Sequence, residues 1–123
     1  MRLIPLILLV VCCSASAEWA IVTWSDKALF YVDTDTIRRQ GTIRRFWALK
    51  NFLVRDEDGI LSIRGFEEHD CKEEKMRVLE ISTHFDLWAS GGVKDNFSLE
   101  DKTWKRIPPG TIVEGVHKFV CKK

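Results

Sequence analysis

Sulfur, imidazole, carboxylate and guanidinium groups are the parts of this chain that chemistry would use, and their spacing excludes most catalytic schemes. The histidines are His69, His84 and His117. None falls in the HExxH or paired CxxC spacing that brings metal ligands to one point. His69-Asp70-Cys71 has the residue types of a metal or nucleophile cluster, but a Cys71 held in a disulfide can serve as neither. Nucleophilic catalysis needs an activated serine or thiol with a base and an orienting acid, and no GxSxG is present. Glu67-Glu68 and Glu73-Glu74 are sequence neighbours, which in a strand point to opposite faces and do not form a general acid/base pair. Gly91-Gly92 lacks the lysine and helix of a phosphate loop. The expectation is a protein with no catalytic residues, no metal and no cofactor.

One cluster has a binding chemistry. Arg38, Arg39, Arg44 and Arg45 bracket a turn at Gln40-Gly41, and folding back there gathers up to four guanidinium groups near one end of a sheet. Such a group suits an anionic partner: acidic protein, sulfated glycan or lipid headgroup. A plainer reading, a soluble rim that answers the acidic turns nearby, stands beside it. The five tryptophans are Trp19, Trp24, Trp47, Trp88 and Trp104. In so small a chain most are core candidates. Trp88 falls opposite Phe85 and Leu87 on its strand and is the expected exception.

The start of the chain sets the compartment. Arg2 is followed by an apolar run from Leu3 to Val11, and Ala15-Ser16-Ala17 has the small-x-small cleavage pattern. The run is shorter than the ~20 residues of a spanning helix. Residues 1–17 are therefore read as a cleaved signal peptide and 18–123 as one domain, exported to the periplasm or surface of a bacterium, with no transmembrane segment in the mature chain. A lipid on Cys12 or Cys13 is the alternative, although Val11 before Cys12 fits a lipobox poorly. Removing the leader reduces four cysteines to Cys71 and Cys121. An even count in an exported chain reads as a disulfide, with two free thiols as the alternative. Arg2 leaves with the leader, so 18 basic side chains balance 18 acidic ones. No net field then draws nucleic acid or anionic membrane to the protein.

The elements that must position these groups are mostly strands. Trp19–Trp24 and Ala28–Val32 have strand composition and flank the turn Ser25-Asp26-Lys27. Asp33-Thr34-Asp35-Thr36 is dense in capping residues and would start a helical turn through Ile37, Arg38 and Arg39. The run from Thr42 to Val54 carries large apolar groups on both faces, as a central strand does. Asp58-Gly59 is a hairpin signal, and Ile60 to Cys71 is the returning strand, with Gly65 marking a bulge or bend. From Met76 to Trp88, Leu79, Ile81, Thr83, Phe85 and Leu87 alternate with Glu80, Ser82, His84 and Asp86, a half-buried strand pattern. Ser90-Gly91-Gly92 is a turn, and Val93–Ser98 and Trp104–Ile107 are weaker strands.

Pro108 to Cys121 reads as a short amphipathic helix. Thr111 is its N-cap and Glu114 stands at the capping-box spacing. Ile112, Val113, Val116 and Val120 share a face, with Phe119 at its edge. The expected fold is α+β: a single antiparallel β-sheet of five to six strands with a C-terminal α-helix packed on one face. The helix is expected to lie on Leu79, Ile81, Phe85 and Leu87, tied by Cys71–Cys121.

In order and spacing the chain resembles the surface-adhesin protein E family of small exported bacterial proteins. The resemblance is carried by Trp19, Phe30-Tyr31-Val32-Asp33, Thr36-Ile37-Arg38, Phe46-Trp47-Ala48-Leu49, Ser62, Asp70-Cys71 and Met76-Arg77-Val78-Leu79. Trp104, Ile107-Pro108-Pro109-Gly110-Thr111 and Cys121 complete it. It implies a curved sheet with a disulfide-held helix on its concave face, a homodimer, and adhesion to host matrix or plasma proteins such as laminin, vitronectin and plasminogen. A second reading is a periplasmic accessory protein that binds an envelope component or inhibits an enzyme.

Overall fold

A computed structural model describes residues 2–10 and 17–122. Cys12, Cys13 and the Ala15-Ser16 portion of the cleavage pattern lie outside the described residues. Residues 2–10 form neither helix nor strand and are exposed.

The strands are β1 (Trp19–Trp24), β2 (Ala28–Asp33), β3 (Arg38–Gln40), β4 (Ile43–Phe52), β5 (Ser62–Asp70), β6 (Lys75–Asp86), β7 (Ser90–Ser98) and β8 (Lys105–Arg106), followed by helix α1 (Ile112–Lys122). All pairings are antiparallel. The hydrogen-bonded path runs β1-β2-β4-β5-β6-β7, with β3 on β4 and β8 on β6. The sheet thus has eight strands instead of five to six, because two short arms extend the six-stranded path. It is open and not strongly curved.

Several expected boundaries move for local reasons. The one-turn 3-10 helix covers Thr34–Thr36 only, with the Asp33 side chain accepting the Asp35 N–H. Arg38 and Arg39, expected in that turn, are strand residues instead, because Thr36 Oγ1 accepts the Trp47 N–H at 3.1 Å and locks the chain onto β4. Gly41, at φ 59°, then supplies the left-handed residue of the β3–β4 turn. β6 ends at Asp86, before Leu87 and Trp88. The buried Ser62 hydroxyl donates to Asp86 O and accepts the Ala89 N–H, and Asn51 Oδ1 accepts the Trp88 N–H. Those bonds hold Trp88 and Ala89 at φ 63° and 54°. Gly91 and Gly92, expected in the turn, open β7 instead. At β5, the register shift falls between Phe66 and Glu67, next to Gly65.

Helix α1 is capped as its sequence dictates, with one change. The Glu114 N–H donates to Thr111 Oγ1 at 3.3 Å, while the Glu114 carboxylate accepts from Gly110 instead of Thr111. Val116 and Val120 are buried with Val32 of β2 and Phe46 of β4, and Val22, Ile37, Ala48 and Phe119 pack around them. The helix therefore lies over β1, β2 and β4, not on the Leu79–Leu87 row of β6. Gly115 suits this close approach to β1: a Cβ built there would stand 3.3 Å from Thr23 Cβ, and Thr23 would have to give by a few tenths of an ångström. At the other end, Cys121 is bonded to Cys71, just past β5, at a Cα separation of 5.7 Å.

A second link runs beside the disulfide. His69 is fully buried and His117 is 8 % exposed, and their Nδ1 atoms stand 3.0 Å apart. Glu67 Oε1 accepts from His69 Nε2 at 3.0 Å, so a neutral His69 offers its Nδ1 lone pair to an N–H on His117. A proton on both facing nitrogens would end that bond. Burial, then the charge that His69 would carry, holds the His117 pKa below 6.5, against the opposing pull of Glu74, Asp70 and Glu114. The folded state thus binds this proton more weakly than the unfolded chain. Stability is full above about pH 6.5 and falls as pH drops through the lowered value. Burial and Arg64 give His84 a shift of the same sign. Urea midpoints measured between about pH 7.5 and 5 should therefore fall with acidification, and less steeply in His117→Gln. Equal slopes in both proteins would reject the His117 contribution.

Candidate binding face

The side of the sheet away from α1 is polar and aromatic. In an antiparallel ladder, directly paired residues present their side chains on the same face. Arg38 pairs Arg45, Arg45 pairs Glu68, and Glu68 pairs Arg77, so these four form one row across β3, β4, β5 and β6. Neighbouring strands lie about 4.8 Å apart, which makes the row a line of charge on the order of 14 Å long. Glu68 is its buried centre, at 4 % exposure. Arg45 Nη2 reaches one carboxylate oxygen at 3.0 Å and Arg77 Nη2 the other at 3.0 Å. Burial alone would raise the Glu68 pKa. The hydrogen bonds and charges of Arg45 and Arg77 outweigh it and keep the group below the usual carboxylate value.

Aromatic rings sit beside and beneath the guanidinium groups. Trp47 and Phe66 stack with centroids 4.8 Å apart. The Arg64 guanidinium lies 3.9 Å above Trp47, and that of Arg77 lies 4.4 Å above Trp104. Arg77 also donates to Lys102 O, which fixes the segment that carries Trp104. Toward the far end, Trp88, past the end of β6, packs against Tyr31 at 4.7 Å and is 48 % exposed, while Trp24 is more exposed still, at 68 %. Arg38, Arg45, Arg64, Arg77 and Lys75 share this face with Arg106, paired to Lys75, and with the carboxylates Glu68, Glu80 and Asp70, while Asp33 and Asp86 follow at alternate positions of β2 and β6.

The pleat divides the four arginines of the sequence cluster. Arg38 and Arg45 stand on this face. Arg39 and Arg44 pair with each other on the helix side, where Arg44 donates to Gly41 O and Ile43 O. Arg44 lies opposite His69 in the ladder, and its Nε is buried without a hydrogen-bond partner. Sequence reasoning missed Arg64 and Arg77. Their signal was weak: each is a cation at an alternate position of a strand, and only the β4–β5–β6 register sets them beside Arg45, Trp47 and Trp104.

The family profile described as Surface-adhesin protein E matches residues 19–122, from the first residue of β1 to the last described residue of α1. The chain belongs to the surface-adhesin protein E family. That family name describes exported, protein-binding modules of the bacterial surface. Among solved structures the chain is similar to protein E of Haemophilus influenzae, with a TM-score of 0.60 and 14 % identity over 89 % of this chain and 87 % of that one. A second crystal form of that protein gives 0.56 and 13 % over 88 % and 97 %. Protein E from non-typeable Haemophilus influenzae gives 0.56 and 14 % over 89 % and 79 %. At such identities the likeness shows the fold alone. No curated protein sequence matches the chain. Among the described residues of this adhesin-E member, no helix is long and apolar enough to cross a membrane. No group of three or more histidine, cysteine or acidic side chains there would hold a metal ion.

Proposed function

We propose that the chain, with residues 1–17 removed on export, is an adhesin-like module that binds a host matrix or plasma protein through the arginine–aromatic face. The row Arg38–Arg45–Glu68–Arg77 carries this reading. Its geometry is fixed by the sheet, and Arg38 at its outer end is exposed. Arginine and tryptophan are the side chains that most often dominate protein interfaces, because they combine apolar area with directed hydrogen bonds. The guanidinium donors fit an acidic segment of the partner. A homodimer, in which two such faces act together, would raise avidity without new contacts.

Arg38→Glu/Arg64→Glu is the informative variant, since among the described residues neither pairs with a carboxylate. Binding to immobilised laminin, vitronectin or plasminogen is expected to weaken by at least about tenfold, and wild-type binding to fade with added salt. Arg39→Glu/Arg44→Glu, on the helix side, should bind as wild type does. The face assignment fails if the two variants lose binding equally.

Val11 before Cys12 favours a second reading, a periplasmic protein without a lipid anchor that binds an envelope component or inhibits an enzyme. Protease treatment of intact cells separates the two. Digestion supports the surface reading, and a wholly protected pool supports the periplasmic one.

A further inference from the structure

The helix face contains an empty place. Because α1 lies over β1, β2 and β4, its residue Val116 does not meet Ile81 and Val78 of β6. A hollow of about 170 Å³ lies between them. Its floor is Ala48 and Gly65, paired residues of β4 and β5 that carry one methyl group between them. Phe30 and Ile63 close the sides. A Cβ at Gly65 would make only ordinary contacts, the nearest at 3.7 Å, so the hollow owes its depth to a missing side chain and not to a crowded backbone.

Two charged side chains line it, Lys50 and Glu67. Glu67 is engaged, since its carboxylate accepts from His69 Nε2. Lys50 is half-buried, with its ammonium over the rings of Phe30 and Phe52 at 5.4 and 4.8 Å. Among the described residues no carboxylate lies within ion-pair distance of it. Beyond Lys50, a second groove of about 460 Å³ continues along Phe52, Leu53 and Val54 to the end of the sheet.

We propose that this hollow binds a single acyl chain with an anionic head, the tail between Val116 and Ile81 over Gly65 and the head paired with Lys50. The walls are apolar, and the strand amides around them are paired in the ladder. A peptide seated there would bury its own amides without partners, which is costly. A hydrocarbon tail has no such groups, and one negative end answers the one unpaired cation. A carboxylate and a phosphate head share this chemistry. The site is on the opposite face from the arginine row, so it stands or falls apart from adhesion.

Calorimetric titration of the mature chain tests this, with octanoate, decanoate, dodecanoate and dodecyl phosphate below their micelle concentrations. Affinity should rise by about fourfold per added methylene until the hollow is full. Binding of either head supports the site, and the tighter one indicates whether a free fatty acid or a phospholipid-like ligand is preferred. Lys50→Met should weaken both by about tenfold and leave dodecyl maltoside unaffected. Gly65→Leu should fill the hollow and abolish binding, with a melting temperature no lower than that of wild type. Equal binding of dodecyltrimethylammonium, or full binding by a folded Gly65→Leu, would overturn the proposal. So would a dimer in sedimentation that Ile81→Glu dissociates, since a second copy would then be what covers this face.

Discussion

Cys121→Ser is expected to lower stability by about 4 kcal/mol, or on the order of 20 °C in melting temperature for a domain of this size. The bond joins residues 50 apart, so it removes a large share of the unfolded chain's freedom. The loss should be felt first in α1. An isolated helix of its length is marginal in water, and without the bond its C-terminal turn is held by the His69–His117 contact and the packing of Val116 and Val120. Amide exchange over 112–122 should accelerate more than exchange over β4 and β5. Reduction of the wild-type protein should reproduce the effect. An unchanged melting temperature in the serine variant would mean that the bond contributes nothing to the native state.

Phe46→Ala is expected to cost about 3–5 kcal/mol, measured as the free energy of urea unfolding. Phe46 is fully buried in β4, packs with Val32, Val116 and Val120, and lies 5.0 Å from the His69 ring. Truncation leaves a cavity between helix and sheet that rigid strands cannot close. It also loosens one wall of the histidine pair. Combined with Cys121→Ser, the loss should be smaller than the two single losses together, because each substitution already undocks the same helix. Strict additivity would show that the helix is not a cooperative unit of the fold. A loss below about 1 kcal/mol for Phe46→Ala alone would show that the core under α1 is elsewhere.

Much of the fold was legible in local chemistry. Asp58-Gly59 and Gly41 sit at strand turns, Thr111 caps the helix, and Cys71 and Cys121 form the expected bond. These features are short in range, so the residues that cause them are neighbours in sequence. Errors arose where distant groups intervene. The strand expected to reach Trp88 stops at Asp86 because Asn51 and Ser62 capture the next amides. Arg38 and Arg39 joined the sheet because Thr36 is anchored to Trp47. The two short strands β3 and β8 carry too few residues to show a period.

The same division applies to the candidate sites. Composition and order marked an arginine cluster around Gln40-Gly41, but a pleated strand sends neighbours to opposite faces, and half the cluster left the face that now holds Arg64 and Arg77. What the sequence by itself determined is an exported domain of strands with one capped, disulfide-held helix, and its membership in a surface-adhesin family. Only the tertiary structure decided where the helix rests. The Leu79–Leu87 row had the right periodicity to receive it, yet periodicity states that a face must be buried, not by what. Gly115 against Thr23, and Val116 and Val120 against Phe46, drew the helix to the β1–β2–β4 half of that same face. The gap left beside Ile81, and the lysine at its rim, follow from that choice.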